Sequence, residues 1–422
     1  MVKVSARGAD EVSSRSATCD YTQPVAVPSS LTPRAVAAMG RAMRALALVL
    51  AAFMASCGPF VGGLIDRVRE APAPAVSERA ATLHRQAPVV DLHADPLLWG
   101  RNLLARSTTG HVDVPRLREG GVALQVFGIV TKFPIVPSIE RTNPRWPDAV
   151  TLLALASLWP LRTVGNIEAR MLYQAGELHR MAAASNGTLA VIETRADLER
   201  LLARRAGGAD VVGGLLDIEG AHCLGDDPAN LAHAFDAGVR MIGLAHFYDT
   251  AFGGSAHGIG KIGLTDRGRT LVHDMERRGV IVDLAHSSAA TIADVLAIAT
   301  RPVVVSHTGL RATCDNQRNL SDDQLRGVAQ NGGVVGIGFW DTAVCGVAAA
   351  DIARAIKYAV DLIGDDHVGL GSDFDGAVTT GFDTSRMRVV TQAMLDAGVL
   401  DASIPKILGG NAVRVLREVL PR

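Results

Sequence analysis

The sequence predicts an α/β protein, a (β/α)₈ TIM-type barrel with a helical insertion after the second strand. Three observations carry this reading. Eight apolar, β-branched stretches recur along the chain: Val89–His93, Ala123–Ile129, Val212–Glu219, Met241–His246, Val280–His286, Val303–His307, Val334–Phe339 and Val368–Asp373. Segments of helical period separate most of them, among them Asp266–Arg278, Ala289–Ala299, Asp322–Gln330 and Ala350–Ile363. Such alternation gives a parallel sheet, and eight is the strand number at which it closes. Finally, polar, metal-capable residues stand at the carboxyl ends of six of the eight stretches, the face on which barrel active sites are built.

In chain order, residues 1–38 are polar and lack periodicity, so no element is expected there. Arg41 and Arg44 then precede an apolar run, Ala45–Ala55, and Ser56-Cys57-Gly58-Pro59. Basic residues, a short apolar core and small residues before a break compose a secretory signal. The run is too short to span a bilayer, which needs about 20 residues. Met54-Ala55-Ser56-Cys57 resembles a bacterial lipobox with methionine in place of the usual leucine, implying cleavage before Cys57 and lipidation of its thiol. The alternatives are an ordinary signal peptide, or an apolar helix with an incidental cysteine. The expectation is an exported protein, periplasmic or in the cell envelope, anchored to a membrane by lipid. Because such signals open a chain, initiation at Met39 or Met43 is expected. Domain boundaries follow: 1–57 extension and signal, 58–78 linker with a Pro/Ala stretch near Ala71–Val76, and 79–422 one barrel domain. The long gap Val130–Val211 is read as an insertion with helices at Ala149–Ala156 and Ile167–Ala184 and an extra strand at Leu189–Ile192.

Composition narrows the function. A formal net charge of -1 and five lysines without a basic block disfavour nucleic acid as a partner. The cysteines are Cys19, Cys57, Cys223, Cys314 and Cys345, with no CxxC pair, which argues against a thiolate zinc knuckle or a thioredoxin-like site. Outside the cytoplasm Cys314 and Cys345 could pair and staple the loops after two neighbouring strands; two buried free thiols are the other reading. Gly258-Ile-Gly260-Lys-Ile-Gly263 matches GxGxxG, but lies in a glycine-rich loop well after its strand and is read as a loop. Asp373-Phe-Asp375-Gly376 lacks the remaining positions of a calcium loop.

The strand ends carry the chemistry. His93 and Asp95 are two apart, so on an extended strand both side chains point the same way. Imidazole nitrogen with carboxylate oxygen suits zinc and related divalent ions. His286 and His307 add imidazoles from adjacent strands, and Glu219 stands between the two groups, placed to bridge two ions. No lysine occupies a strand end in this set, so a carbamylated-lysine bridge lacks its residue. A single strand-end His or Asp is ordinarily a structural hydrogen-bonding group or a helix cap; five in register point to a metal site. His84, His111, His179, His233, His257, His273 and His367 show no such registration and are read as structural, and His222 is read as orienting Glu219.

Those residues sit in stretches that resemble the renal (membrane) dipeptidase family, a zinc-dependent branch of the amidohydrolase-type barrels. The stretches are Asp91-Leu-His93-Ala-Asp95, Glu219-Gly-Ala-His222, Leu244-Ala-His246, Asp283-Leu-Ala-His286-Ser, Ser306-His307-Thr, Arg318-Asn319 and Gly371-Ser-Asp373-Phe-Asp-Gly376, with Gly110–Leu117 and Gly409-Gly-Asn411 in support. The resemblance covers roughly residues 79–420 and departs from the family in the long second insertion and in Gly220-Ala221, where Gly-Gly is common. It implies two zinc ions per subunit, one held by His93, Asp95 and Glu219 and the other by Glu219, His286 and His307. It implies substrate contacts from His246, Arg318 and Asp373, a disulfide between Cys314 and Cys345, and a homodimer. The reaction expected is dipeptide hydrolysis by a metal-bridging hydroxide. His246 would stabilise the oxyanion, Asp373 would move the proton, and Arg318 would hold the substrate's C-terminal carboxylate. Two other functions use the same frame: hydrolysis of a lactone, cyclic amide or phosphoester, and a catalytically silent surface-binding protein, whose signature would be a lost ligand.

Overall fold

Eight short apolar stretches pair in parallel: β1 (Val89–Ala94), β2 (Val122–Val130), β3 (Val212–Glu219), β4 (Val239–Gly243), β5 (Ile281–Asp283), β6 (Val304–Thr308), β7 (Val334–Ile337) and β8 (Val368–Leu370). The computed structural model describes residues 57–422. The secretory signal, its cleavage and the alternative starts fall outside the described residues, as does the side chain of Cys57. In space the order is β2-β1-β8-β7-β6-β5-β4-β3, and β3 pairs back onto β2 from Leu124↔Gly213 to Val130↔Glu219, closing the barrel. Every residue of β1, β2 and β3 is buried, as a parallel sheet jacketed by helices requires.

The predicted insertion is present, with helices Ala149–Ala156 and Ile167–Ala184 and a short strand, Leu189–Val191, along the start of β3. Local chemistry sets these boundaries. Asn166 caps the second helix by accepting from the Ala169 amide at 2.9 Å, and Ser321 and Gln324 form a capping box that opens Asp322–Gln330. At the amino-terminal end of the barrel, Ala412, Val413 and Leu416 of the helix Asn411–Val419 share an apolar cluster with Val90, Leu124, Leu215, Met241, Ile281, Val304 and Val334. That end is plugged, so chemistry has only the opposite face to use.

Two expectations need correction. Strands 4, 5 and 8 end three residues before His246, His286 and Asp373, which lie on the following loops. His286 and Asp373 have φ of 60° and 61°, a left-handed backbone that no strand ladder accommodates. The stretch expected as a plain linker, 58–78, is instead structured over its first part. Cys57–Ile65 is helical, and Arg67–Val68 pairs in parallel with Thr379–Thr380, because Val61 buries against Leu98 and Trp99. The glycine-rich 258–263 segment is a loop, as read.

Candidate metal centre

Four imidazoles converge on one carboxylate oxygen. Glu219 Oε1 lies 2.9 Å from His286 Nε2, 3.3 Å from His307 Nε2, 3.4 Å from His246 Nε2 and 3.7 Å from His93 Nε2. Asp95 Oδ1 is 3.4 Å from His93 Nε2, and Asp373 offers an oxygen to the same His93–Asp95 group. Barrel closure thus gathers residues spread over 281 positions of sequence into three overlapping groups of metal-capable side chains. His93 and His307 are fully buried and stacked, centroids 3.9 Å apart; Glu219, His246, His286 and Asp373 are nearly so.

A shell of hydrogen bonds aims these groups. Asp283 accepts from the Ser306 amide at 2.8 Å and the Ser306 hydroxyl at 2.6 Å, and that hydroxyl lies 2.9 Å from His307 Nδ1. The same device recurs one strand pair away, where Asp91 accepts from the Ser372 amide at 2.8 Å and hydroxyl at 2.7 Å and fixes the turn that carries Asp373. Asp217 Oδ2 stands 3.4 Å from His93 Nδ1. His307 and His93 are therefore approached on the Nδ1 side, leaving Nε2 to the centre, the arrangement found behind metal-binding histidines. His246 has no hydrogen-bond partner at Nδ1.

Electrostatics sort the histidines. Burial, reinforced by neighbouring cationic and imidazole groups, drives His246, His286 and His307 well below the usual range, so all three are neutral and free to donate a lone pair. Burial also opposes charge on His93, but Asp95, Glu219 and Asp217 outweigh it and hold that ring well above its ordinary value. Burial, with Asp95 adding, lifts Glu219 well above the carboxylate range, and burial lifts Asp373 likewise. Neither ring nitrogen of His93, nor Asp95 Oδ1, has a hydrogen-bond partner. A surplus of buried carboxylates and unpartnered donor atoms is what a divalent cation relieves, so the residues fit a metal.

The sequence reading missed several participants. His257, read as structural, puts Nε2 2.9 Å from His286 Nδ1, while its own Nδ1 is 2.9 Å from the Ile139 carbonyl. The carbonyl only accepts, so His257 donates from Nδ1 and accepts at Nε2; His286 then donates from Nδ1 and keeps its Nε2 lone pair for the centre. Gly128 was missed too: a Cβ there would collide with Asp95 Oδ1 and His93 Cε1. His222 does not orient Glu219. Its ring stands edge-on to Tyr248 with both nitrogens unpartnered, and burial lowers it to about 4.

The centre floors a cavity of about 720 Å³, within the size range of small-molecule sites. Arg318 lines it and is 7% exposed, which rules out a surface arginine. Its Nη2 donates to the His307 carbonyl at 2.7 Å, and its Nε has no protein partner. Cys314 and Cys345 are joined by a disulfide, Cα atoms 5.3 Å apart, which ties the loop that precedes Arg318 to the one after β7. Cys223 is a buried free thiol.

The sequence profile of the family described as membrane dipeptidase, peptidase family M19, matches residues 77–420. The chain belongs to that family. Among curated relatives, the dipeptidase aclJ of Aspergillus oryzae is 31% identical over 359 residues, 79% of this chain and 78% of that protein. The dipeptidase tcpJ of Claviceps purpurea is 30% identical over 323 residues, 74% of this chain and 70% of its own length. A metallo peptidase from Rhodobacter sphaeroides, solved with a phosphinate mimic of the dipeptide L-Ala-D-Ala, superposes with a TM-score of 0.65 at 27% identity, over 79% of this chain and 99% of that one. The probable dipeptidase PvdM of Pseudomonas aeruginosa shares the fold, with a TM-score of 0.67 at 22% identity over 81% and 98% of the two chains. As a membrane dipeptidase family member the chain is a hydrolase of peptide bonds that depends on a metal.

Proposed function

We propose that the protein is a binuclear zinc dipeptidase whose substrate is anchored through its free C-terminal carboxylate. The observation that carries this is the convergence of four Nε2 atoms on Glu219 Oε1 beneath a cavity whose wall presents the underused guanidinium of Arg318. His93, Asp95 and Glu219 would hold one ion, and Glu219, His286 and His307 the other. Bound there, such a pair supplies a polarising charge for the peptide carbonyl and a water acidic enough to attack it at neutral pH.

The chain's own groups do the rest. Arg318 pairs with the carboxylate and fixes the scissile carbonyl at a set distance from Glu219. His246, neutral because it is buried, keeps an N–H for the oxygen on which negative charge develops. Asp373, whose carboxylate stands in the same group as His93 and Asp95, takes the water's proton on a carboxylate oxygen and delivers it to the leaving amine. Its left-handed backbone is a constrained conformation of the kind that clusters at active sites.

The test combines metal analysis of the purified full chain with hydrolysis of Gly-Ala and its C-terminal amide. Two equivalents of zinc and cleavage of the free acid alone are expected. Arg318→Ala should raise KM about 10–100-fold without changing metal content. Protein without divalent ion, or equal turnover of the amide, overturns the reading. A lipid anchor at Cys57 and delivery outside the cytoplasm are part of the same proposal. Mass spectrometry of the mature N-terminus tests them, and a peptide from residues 1–38 in the native protein counts against both.

A further inference from the structure

The cavity lining has two unlike parts. Arg318 marks one, together with Trp340, whose ring centroid is 6.0 Å from the guanidinium carbon, and with Asp341 and Thr342. In the other, Val61, Phe133 and Leu153 pack with Leu98, Trp99 and Val150 in an apolar cluster separate from the main core. Val61 and Ile65 both line the cavity, and both come from the Cys57–Ile65 helix. That helix precedes the family match, which begins at residue 77.

The segment that follows the helix ties it to the barrel. Asp66 Oδ1 accepts from the Val378 amide at 3.2 Å, Arg67 N donates to the Val378 carbonyl at 3.1 Å, and Arg69 N donates to the Thr380 carbonyl at 2.8 Å. The helix therefore rides on the same loop that carries Asp373. Gly62 lets it lie flat against Trp99: a Cβ there would come within 3.0 Å of the indole. No charged residue occurs between Cys57 and Ile65, so the helix has no ionic group to offer a polar side chain.

We propose that the Cys57–Ile65 helix completes the subsite for the substrate's N-terminal side chain and makes the enzyme select bulky apolar residues there. This rests on the dipeptidase reading above. With the carboxylate at Arg318 and the scissile carbonyl over Glu219, an extended dipeptide would direct its first residue toward the lining on the Asp95 side, where the apolar cluster begins at Leu98 and Trp99. A large apolar side chain displaces water from that wall, whereas glycine leaves it wet and a carboxylate is stripped of solvent without a partner.

The experiment measures kcat/KM of the zinc-loaded full chain for Leu-Ala, Phe-Ala, Gly-Ala and Glu-Ala. Leu-Ala and Phe-Ala should exceed Gly-Ala about tenfold or more, with Glu-Ala lowest. Val61→Ser combined with Ile65→Ser should cut the Leu/Gly ratio roughly three- to tenfold, the loss falling on KM for Leu-Ala. Gly62→Leu, which wedges the helix off Trp99, should lower the same ratio, with zinc content reporting that the barrel is intact. Equal kcat/KM for Leu-Ala and Gly-Ala, or a Leu/Gly ratio unmoved by both variants, overturns this proposal while leaving the dipeptidase reading in place. Failure to cleave any of the four dipeptides overturns that reading, and this proposal with it.

Discussion

Two buried clusters of histidine and carboxylate lie within a few residues of one another along the loop after β8, and they differ in kind. Around Asp375, the His111 amide donates at 2.6 Å, the Val112 amide at 3.1 Å, and Arg101 donates from Nη2. His111 Nδ1 in turn accepts from the Asp375 amide at 3.1 Å, and Asp66 completes the group. Burial opposes the charge on Asp375, yet Arg101 and His111 outweigh it and hold the carboxyl at about 2. Around Glu219 the residue types are the same, but among the described residues no Arg or Lys forms an ion pair with Glu219, Asp95, Asp217 or Asp373. The first cluster carries its own cation and is closed. The second has no cation paired to its carboxylates and opens onto a cavity. Residue type therefore does not separate a strut from a reactive centre; the internal balance of charge does.

The sharpest way to break this contrast is to neutralise one carboxylate on each side. Glu219→Gln should abolish hydrolysis by roughly 10³-fold or more, about 4 kcal/mol of barrier, and cost metal content, while the metal-free fold melts no lower than wild type. A variant that kept both zinc ions and its turnover would erase the distinction. Asp375→Ala should do the reverse. It strands Arg101, which is 5% exposed at the side chain, and should cost about 3–5 kcal/mol of stability by denaturant titration, with zinc still bound. Loss of zinc at unchanged stability would show that the two clusters had been assigned the wrong way round.

Smaller changes sharpen the comparison. His257→Phe removes the acceptor that fixes His286, and should weaken zinc binding about 10–100-fold in chelator competition, with His257→Gln recovering part of the loss. Identical affinities for the three proteins would reduce His257 to packing. The gentlest test is pH. Burial first, then the charge of Asp375, pushes the Asp66 carboxyl from 3.8 to about 8, so the folded chain keeps a proton that the unfolded chain has already released. The stability Asp66 contributes is then complete below about pH 4 and is lost as pH rises through about 8. Asp66→Asn cannot ionise, so its melting temperature should gain on wild type between pH 5 and pH 8; melting curves that stay parallel would count against the shift.

Much of this was legible in the sequence because parallel strands impose a simple rule. An apolar stretch ending in His, Asp or Glu delivers that side chain to one face, so His93, Glu219 and His307 could be gathered without a structure. His246, His286 and Asp373 were found by the same rule, although they lie three residues past their strands, since the face was right even where the boundary was not. What stayed hidden depends on contacts between loops. His257 belongs to a glycine-rich segment with no period, and only folding carries it 29 positions to His286. Gly128 matters for the atoms it omits, and a sequence does not show what a side chain would have struck. The Cys57–Ile65 helix was hidden by its glycines and proline, which argue against helix locally; the one available sign was that the uncharged stretch runs on past Cys57 as far as Ile65.

The bond between Cys314 and Cys345 closes a ring of chain 31 positions long, and Arg318 sits inside it. Chain made where thiols stay reduced would keep every side chain proposed to hold zinc, since none lies within that ring, but would lose the clasp on the segment proposed to meet the substrate's carboxylate. A preparation of that kind would pass a metal assay while gripping peptides poorly, so oxidation state has to be checked before weak turnover is blamed on the choice of substrate.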